Sequence, residues 1–183
     1  MRLKTYLLTI AALLPLISLP AQETFEASAI ITFSGTSTLH DFKGSVAAKP
    51  FLLTVQPEDH NSQFCTAKID VPVREMRTGD EDRDDNMYDM FDQEKFPKIQ
   101  GRIQKALVWK DKPVPMEIRI RDVEQTVPVT ISHWKKTPDE ISFQISFQLS
   151  LEKTKLEPPS FLGIVNVGDR VDVTAQVNAK KKH

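Results

Sequence analysis

A serine, a histidine and an aspartate lie within five residues of one another in Gly35-Thr-Ser-Thr-Leu-His-Asp-Phe-Lys-Gly44. These are the residue types of a nucleophile, a general base and the group that orients the base. Their spacing argues against that chemistry. Successive side chains of an extended chain leave by opposite faces, so Ser37 and Asp41 share one face while His40 takes the other. A hydrolase elbow also needs a glycine soon after the serine, and none stands at the required place. Serine, threonine, aspartate and glycine are turn formers, so the stretch reads as a strand followed by a corner.

Metal chemistry fares no better. Asp80, Asp82, Asp84 and Asp85 offer carboxylates of the kind that surround calcium, but an EF-hand loop counted from Asp80 puts Asp85 where glycine is needed and Phe91 where glutamate is needed. The run reads instead as the acidic start of a helix, where negative charge meets the positive end of the dipole. His40, His60, His133 and His183 are scattered, without the spacing that aims two imidazoles at one zinc. No carboxylate pair is marked out for glycoside hydrolysis. No catalytic residue, metal or cofactor is therefore expected.

The elements that position these residues are mostly strands. In Ile141-Ser-Phe-Gln-Ile-Ser-Phe-Gln-Leu-Ser-Leu151 every second residue is apolar, which describes a half-buried antiparallel strand. Similar alternation marks Ala27–Phe33, Phe64–Val73, Ile99–Trp109, Met116–Ile120, Val127–His133 and Val171–Val177. A longer extended segment runs over Phe42–Val55, with Pro50 suggesting an edge or bulge. A single helix is expected over Thr78–Phe91, opened by a Thr78/Glu81 capping box and carrying one apolar stripe of Met87, Met90 and Phe91. About eight amphipathic strands in one small domain favour a closed antiparallel barrel, since closure removes exposed edges; a two-sheet sandwich is the alternative.

Composition agrees with a globular chain: of 183 residues, 40% are hydrophobic and 27% charged. Residues 1–21 read as a signal peptide, with Arg2 and Lys4 before an apolar run and Leu19-Pro20-Ala21 as the cleavage site. Pro15 and Pro20 interrupt a run already too short for a membrane anchor. The mature domain, residues 22–183, carries 22 Lys and Arg against 25 Asp and Glu, a net charge of about −3 that makes nucleic acid an unsuitable partner. Its Lys180-Lys-Lys-His183 end reads as a solvated tail. No later segment is apolar enough to span a membrane, so the expected location is periplasmic or secreted. The single cysteine, Cys65, cannot close an internal bridge and is expected to point inward as an inert thiol.

Three stretches together resemble the YceI-like family of exported lipid- and polyisoprenoid-binding proteins: GTSTLHDFKG, then IDVPVREMRTGDEDRDDNMYDMFDQEKFPKIQGRI, then VEQTVPVTI. Within them, Arg83-Asp84 resembles the family's helix start, Phe96-Pro97-Lys98-Ile99 its aromatic-proline step into the next strand, and His40 with Gly44 its early histidine element. Pro158-Pro159-Ser160-Phe161 and Val167-Gly168-Asp169-Arg170-Val171 are similar to the end of one branch. Arg121-Asp122-Val123 departs from the pattern, which has glycine before the valine.

The resemblance implies an eight-stranded, extended lipocalin-like barrel with one short helix near residues 78–92. It implies no enzyme activity, and a long isoprenoid or fatty-acyl chain as partner. Applied to this chain, it makes Phe33, Leu39, His40, Phe42, Met76, Met87, Met90, Phe91, Phe96, Ile103, Leu107, Ile118, Phe143 and Phe147 the walls and mouth of an apolar tunnel. Alternation alone does not decide this, because small barrels also fill themselves with side chains. A filled barrel acting as a structural or protein-interaction module is the alternative. Neither reading specifies an oligomeric state.

Overall fold

The computed structural model describes residues 22–38, 40–57, 63–108, 112–158 and 167–182, with backbone alone at 57, 63, 64 and 105–108. Nine strands run in chain order as β1 (Glu23–Ser37), β2 (Phe42–Ala47), β3 (Phe51–Pro57), β4 (Gln63–Pro72), β5 (Lys98–Val108), β6 (Val114–Ile120), β7 (Val123–Lys136), β8 (Glu140–Ser150) and β9 (Val167–Lys181). A 3-10 turn (Val73–Glu75) and helix α1 (Glu81–Met90) lie between β4 and β5. Every neighbouring pair is antiparallel, and β9 returns to β1 over a register from Phe25↔Lys181 to Ser37↔Val167. The sheet therefore closes on itself.

Nine strands fill eight positions, because β2 and β3 share one edge of β1. The first pairs with Ile30–Gly35 and the second with Glu23–Ala27. The extended segment expected over Phe42–Val55 thus breaks at residues 48–50, where Pro50 has no N–H to give a ladder. Ala48 still donates to the Ala29 carbonyl at 2.9 Å, but the Lys49 N–H turns away to Asp70 of β4 at 3.0 Å. On the other side of the break the segment after the 3-10 turn lies along β2. Ser45 and Arg77 exchange backbone hydrogen bonds there, at 2.8 and 2.9 Å.

Period-two alternation accounts for most of the inner face, and the ladders shift register at Gly35/Ser37, Cys65/Ala67 and Ser132/Lys135. On β7, Val127, Val129 and Ile131 point inward, and continued alternation would send His133 in and Trp134 out. The register instead steps from Ser132↔Gln144 to Lys135↔Ser142, leaving two residues opposite Phe143. His133 takes a left-handed φ of 54° and is exposed, and Trp134 turns into the barrel.

The interior is filled at one end only. Near the ends of the barrel strands at Glu23 and Lys181, Phe25, Val55 and Ile141 are at most 1% exposed. Toward the α1 end, the inward-facing Ile31, Ile69, Ile145, Phe147 and Val173 all stay half-buried, as side chains do when they face a void.

Helix α1 begins differently from the expected Thr78/Glu81 capping box. Asp80, in extended conformation, is the N-cap, and its carboxylate accepts from the Arg83 N–H at 2.9 Å. Thr78 serves a different partner, the buried carboxylate of Asp84. The apolar stripe is as expected: Met87 and Phe91 are buried and Met90 is half-buried.

Candidate ligand-binding site

The void is a cavity of about 950 Å³. Alternate residues of each strand make its walls: Phe143, Ile145, Phe147, Leu149 and Leu151 along β8 and its end, Met116, Ile118 and Ile120 on β6, Cys65, Ala67, Ile69 and Val71 on β4, and Val171, Val173, Ala175 and Val177 on β9. From Phe143 to Leu151 the wall runs about 26 Å along the strand, at ~3.3 Å per residue. At the deep end the ring of Trp134 stacks on that of Phe143, with centroids 5.0 Å apart and planes 28° from parallel.

Met87 and Met90 of α1 and its C-cap Phe91 face into the other end, where the rim is polar: Ser37, His40, Thr78, Asp80, Asp82, Arg83, Asp85 and Asn86 border it. Asp80 and Arg83 pair at 3.6 Å, so the rim keeps a net negative charge. The helix is tied down mainly through its own connection. Asp84 accepts from both the N–H and the hydroxyl of Thr78, each at 2.7 Å. The Tyr88 hydroxyl donates to the Met76 carbonyl at 2.7 Å, receives the Arg77 guanidinium, and has Arg74 over its ring at 4.9 Å. Burial pushes the Tyr88 hydroxyl pKa upward.

The Gly35–Gly44 stretch supplies part of this mouth. Ser37 Oγ donates to the His40 carbonyl at 2.6 Å and accepts from the His40 N–H at 3.2 Å, so the serine closes a turn on the histidine backbone. Each bounding glycine lies under an aromatic ring of the adjacent strand. Phe33 pairs with Gly44 and Phe42 with Gly35, and both rings line the cavity. A Cβ on either glycine would enter the facing ring, at 2.3 Å for Gly44 and 2.6 Å for Gly35.

Of the candidate residues, Phe33, His40, Phe42, Met76, Met87, Met90, Phe91, Ile103, Ile118, Phe143 and Phe147 all border this one cavity. Phe96 is not in its wall; the ring is half-buried, with Lys95 at 5.1 Å and Arg121 at 5.9 Å. Leu39 and the Leu107 side chain lie outside the described residues. Sequence reasoning missed Trp134, whose inward turn depends on the bulge, and read the acidic run only as the start of a helix, whereas Asp80, Asp82 and Asp85 also border the mouth. The inner residues of β4 were available from the alternation around Cys65. That thiol is 4% exposed, and burial pushes its pKa up to about 12 against a small opposing effect of Lys136.

Glu23, Lys136 and Lys181 form an ion cluster near the filled end, with Lys181 Nζ 2.9 Å from Glu23 and Lys136 bonded to the other carboxylate oxygen. These hydrogen bonds, that of Lys136 first, hold the Glu23 carboxyl below its ordinary pKa. Among the described residues, no group of three or more His, Cys, Asp and Glu side chains could hold a metal ion, and no helix is long and apolar enough to cross a membrane.

Residues 21–179 match the family model of the YceI-like domain. Among solved structures, a polyisoprenoid-binding domain from Saccharophagus degradans superposes with a TM-score of 0.63 at 11% identity, covering 88% of this chain and 100% of that one. The YCEI protein of Campylobacter jejuni gives 0.62 at 15% identity over 80% and 88% of the two chains. BcnA of Burkholderia cenocepacia gives 0.61 at 17% identity over 82% and 95%. At such identities the likeness is one of fold. No curated protein matches the sequence.

Proposed function

The chain belongs to the YceI-like family, and we propose that it is a non-catalytic binding protein that holds one long apolar lipid, tail in the cavity and polar end at the rim. The observation that carries this reading is a void of about 950 Å³ inside a closed barrel, walled by apolar side chains of which Ile31, Ile69, Ile145, Phe147 and Val173 stay only half-buried. Burying those side chains against a ligand is favourable by about 25 cal/mol per Å². At roughly 30 Å³ per heavy atom, the share of a water molecule in the liquid, the space suits a chain of about thirty atoms. A polyisoprenoid or a fatty-acyl chain has the required shape and lack of polarity, and the Saccharophagus domain, described as polyisoprenoid-binding, supports the former.

A tail with nothing to hydrogen-bond gains affinity from area and fit, which suits walls of Ile, Val and Phe, while Met87 and Met90 at the mouth repack around different entrants. The commitment of the Ser37 hydroxyl to the His40 backbone supports a binding role over a hydrolytic one. The basic and apolar pattern of residues 1–21 supports export, with the bound lipid carried or stored in the periplasm or outside the cell.

Purification from the native host under mild conditions, followed by solvent extraction and mass spectrometry, tests the proposal. A single class of long-chain lipid near one per protein is expected. Protein that is lipid-free and takes up neither long-chain isoprenoid alcohols nor fatty acids in titration would overturn it.

A further inference from the structure

We infer that Trp134, turned inward by the bulge at His133, is the floor of the cavity and sets how long a chain the protein accepts. The inference rests on the lipid-binding reading and assigns its length limit to one residue. Three observations converge. The register shift between Ser132 and Lys135 and the left-handed φ of 54° at His133 reverse the alternation of β7 at this point, putting an indole where period two would put an imidazole. The indole then stacks on Phe143 and is half-buried, so one of its sides faces free volume. Beyond it the barrel is solid, with Phe25, Val55 and Ile141 at most 1% exposed.

A bulge re-aims a side chain at a local cost in pairing and backbone conformation. Here it spends that cost on the largest side chain available, at the depth where the void stops. A lipid entering past Met87 and Phe91 runs down the walls until its far end meets the Trp134 and Phe143 rings. Up to that length, each methylene that finds apolar space raises affinity about fourfold; beyond it, further carbons must stay at the polar rim and add little.

The test is a titration of the full chain with a homologous series of all-trans isoprenoid alcohols. Affinity of the wild type is expected to rise with length and then level off. In Trp134→Ala the plateau moves to chains longer by roughly five carbons, about half of the atoms removed, because such cavities collapse in part. Trp134→Phe, which keeps an aromatic ring and folds more readily, shifts it less but in the same direction. A wild-type plateau in Trp134→Phe and in folded Trp134→Ala overturns the inference and leaves the lipid-binding reading intact. If the wild type binds no member of the series, that reading falls and takes the inference with it.

A second readout avoids altering Trp134. In a Trp109→Phe background, a chain brominated at its far end quenches the remaining tryptophan strongly, and one brominated beside its head does not. Equal quenching by both overturns the inference.

Discussion

Phe33 lies over Gly44 so closely that a methyl group on the glycine would stand 2.3 Å from the ring and 2.6 Å from the Arg77 carbonyl oxygen. The first obstacle is a side chain that can swing away, but the second is backbone, fixed by the Ser45–Arg77 bonds. Gly44→Ala is therefore expected to lower stability by about 2 kcal/mol, in the range for overpacking. At Gly35 the nearest atoms belong to the Phe42 ring, with the Arg170 carbonyl at a tolerable 3.3 Å, so Gly35→Ala should cost less. Urea denaturation of both variants checks the order.

Arg121 occupies the first position of the two-residue turn between β6 and β7, with φ at 55°. The family resemblance places its glycine one residue later, at Asp122, directly before Val123; the left-handed position in this chain is Arg121, where a Cβ costs about 1–2 kcal/mol. The arginine offsets part of this through its guanidinium, which reaches the Met90 carbonyl at 3.4 Å and lies 5.9 Å from the Phe96 ring. Replacing Arg121 by alanine keeps the strain and loses the contacts, whereas glycine loses both. Arg121→Gly should therefore be about 1 kcal/mol more stable than Arg121→Ala by thermal or chemical denaturation. Equal stabilities would mean that the turn stores no strain.

Strand positions and the apolar stripe of α1 were legible in the sequence because both follow from periodicity, which fixes the face a side chain leaves by. The inner wall from Ile141 to Leu151 could be read in this way. The bulge at His133 could not, since neither glycine nor proline marks it and its effect is a register shift that depends on the partner strand. The helix cap was ambiguous for a different reason: Thr78 and Asp80 are both good caps two residues apart, and the choice depends on Asp84 folding back to Thr78. Whether the barrel is filled or hollow depends on its cross-section, a property of all eight strand positions that no single segment carries. Phe96 fell outside the wall because an aromatic ring in a connection is placed by its tertiary neighbours, here Arg121.

The ion cluster at the filled end makes stability depend on acid. Lys136 and Lys181 hold the Glu23 carboxyl below its ordinary value of 4.5, so the folded state favours the carboxylate. That contribution is fully present above about 4.5 and is lost as pH falls through the lowered folded value. Glu23→Gln removes it and leaves two ammonium groups side by side. At pH 7 the variant should be less stable by about 1–2 kcal/mol, below the loss for a fully buried pair because solvent still screens the cluster. The difference from wild type should shrink steadily as pH drops below that range. Denaturation midpoints from pH 7 to pH 3 check this, and a gap constant with pH would remove Glu23 as its source.

Cys65 reports on the deep end of the cavity, which it lines while remaining 4% exposed. Burial lifts the thiol pKa to about 12, so at pH 8 the thiolate is about 10⁻⁴ of the population, against about a quarter for an ordinary cysteine. Reaction with a disulfide reagent should therefore be at least a thousandfold slower in the native protein than in denaturant, where one thiol per chain titrates promptly. Because Cys65 faces the cavity, a bound chain that reaches this depth covers the sulfur and slows labelling further, and delipidation restores the faster rate. Prompt labelling of the native protein would mean that water reaches the far wall freely. Equal rates with and without lipid would place the bound chain short of Cys65.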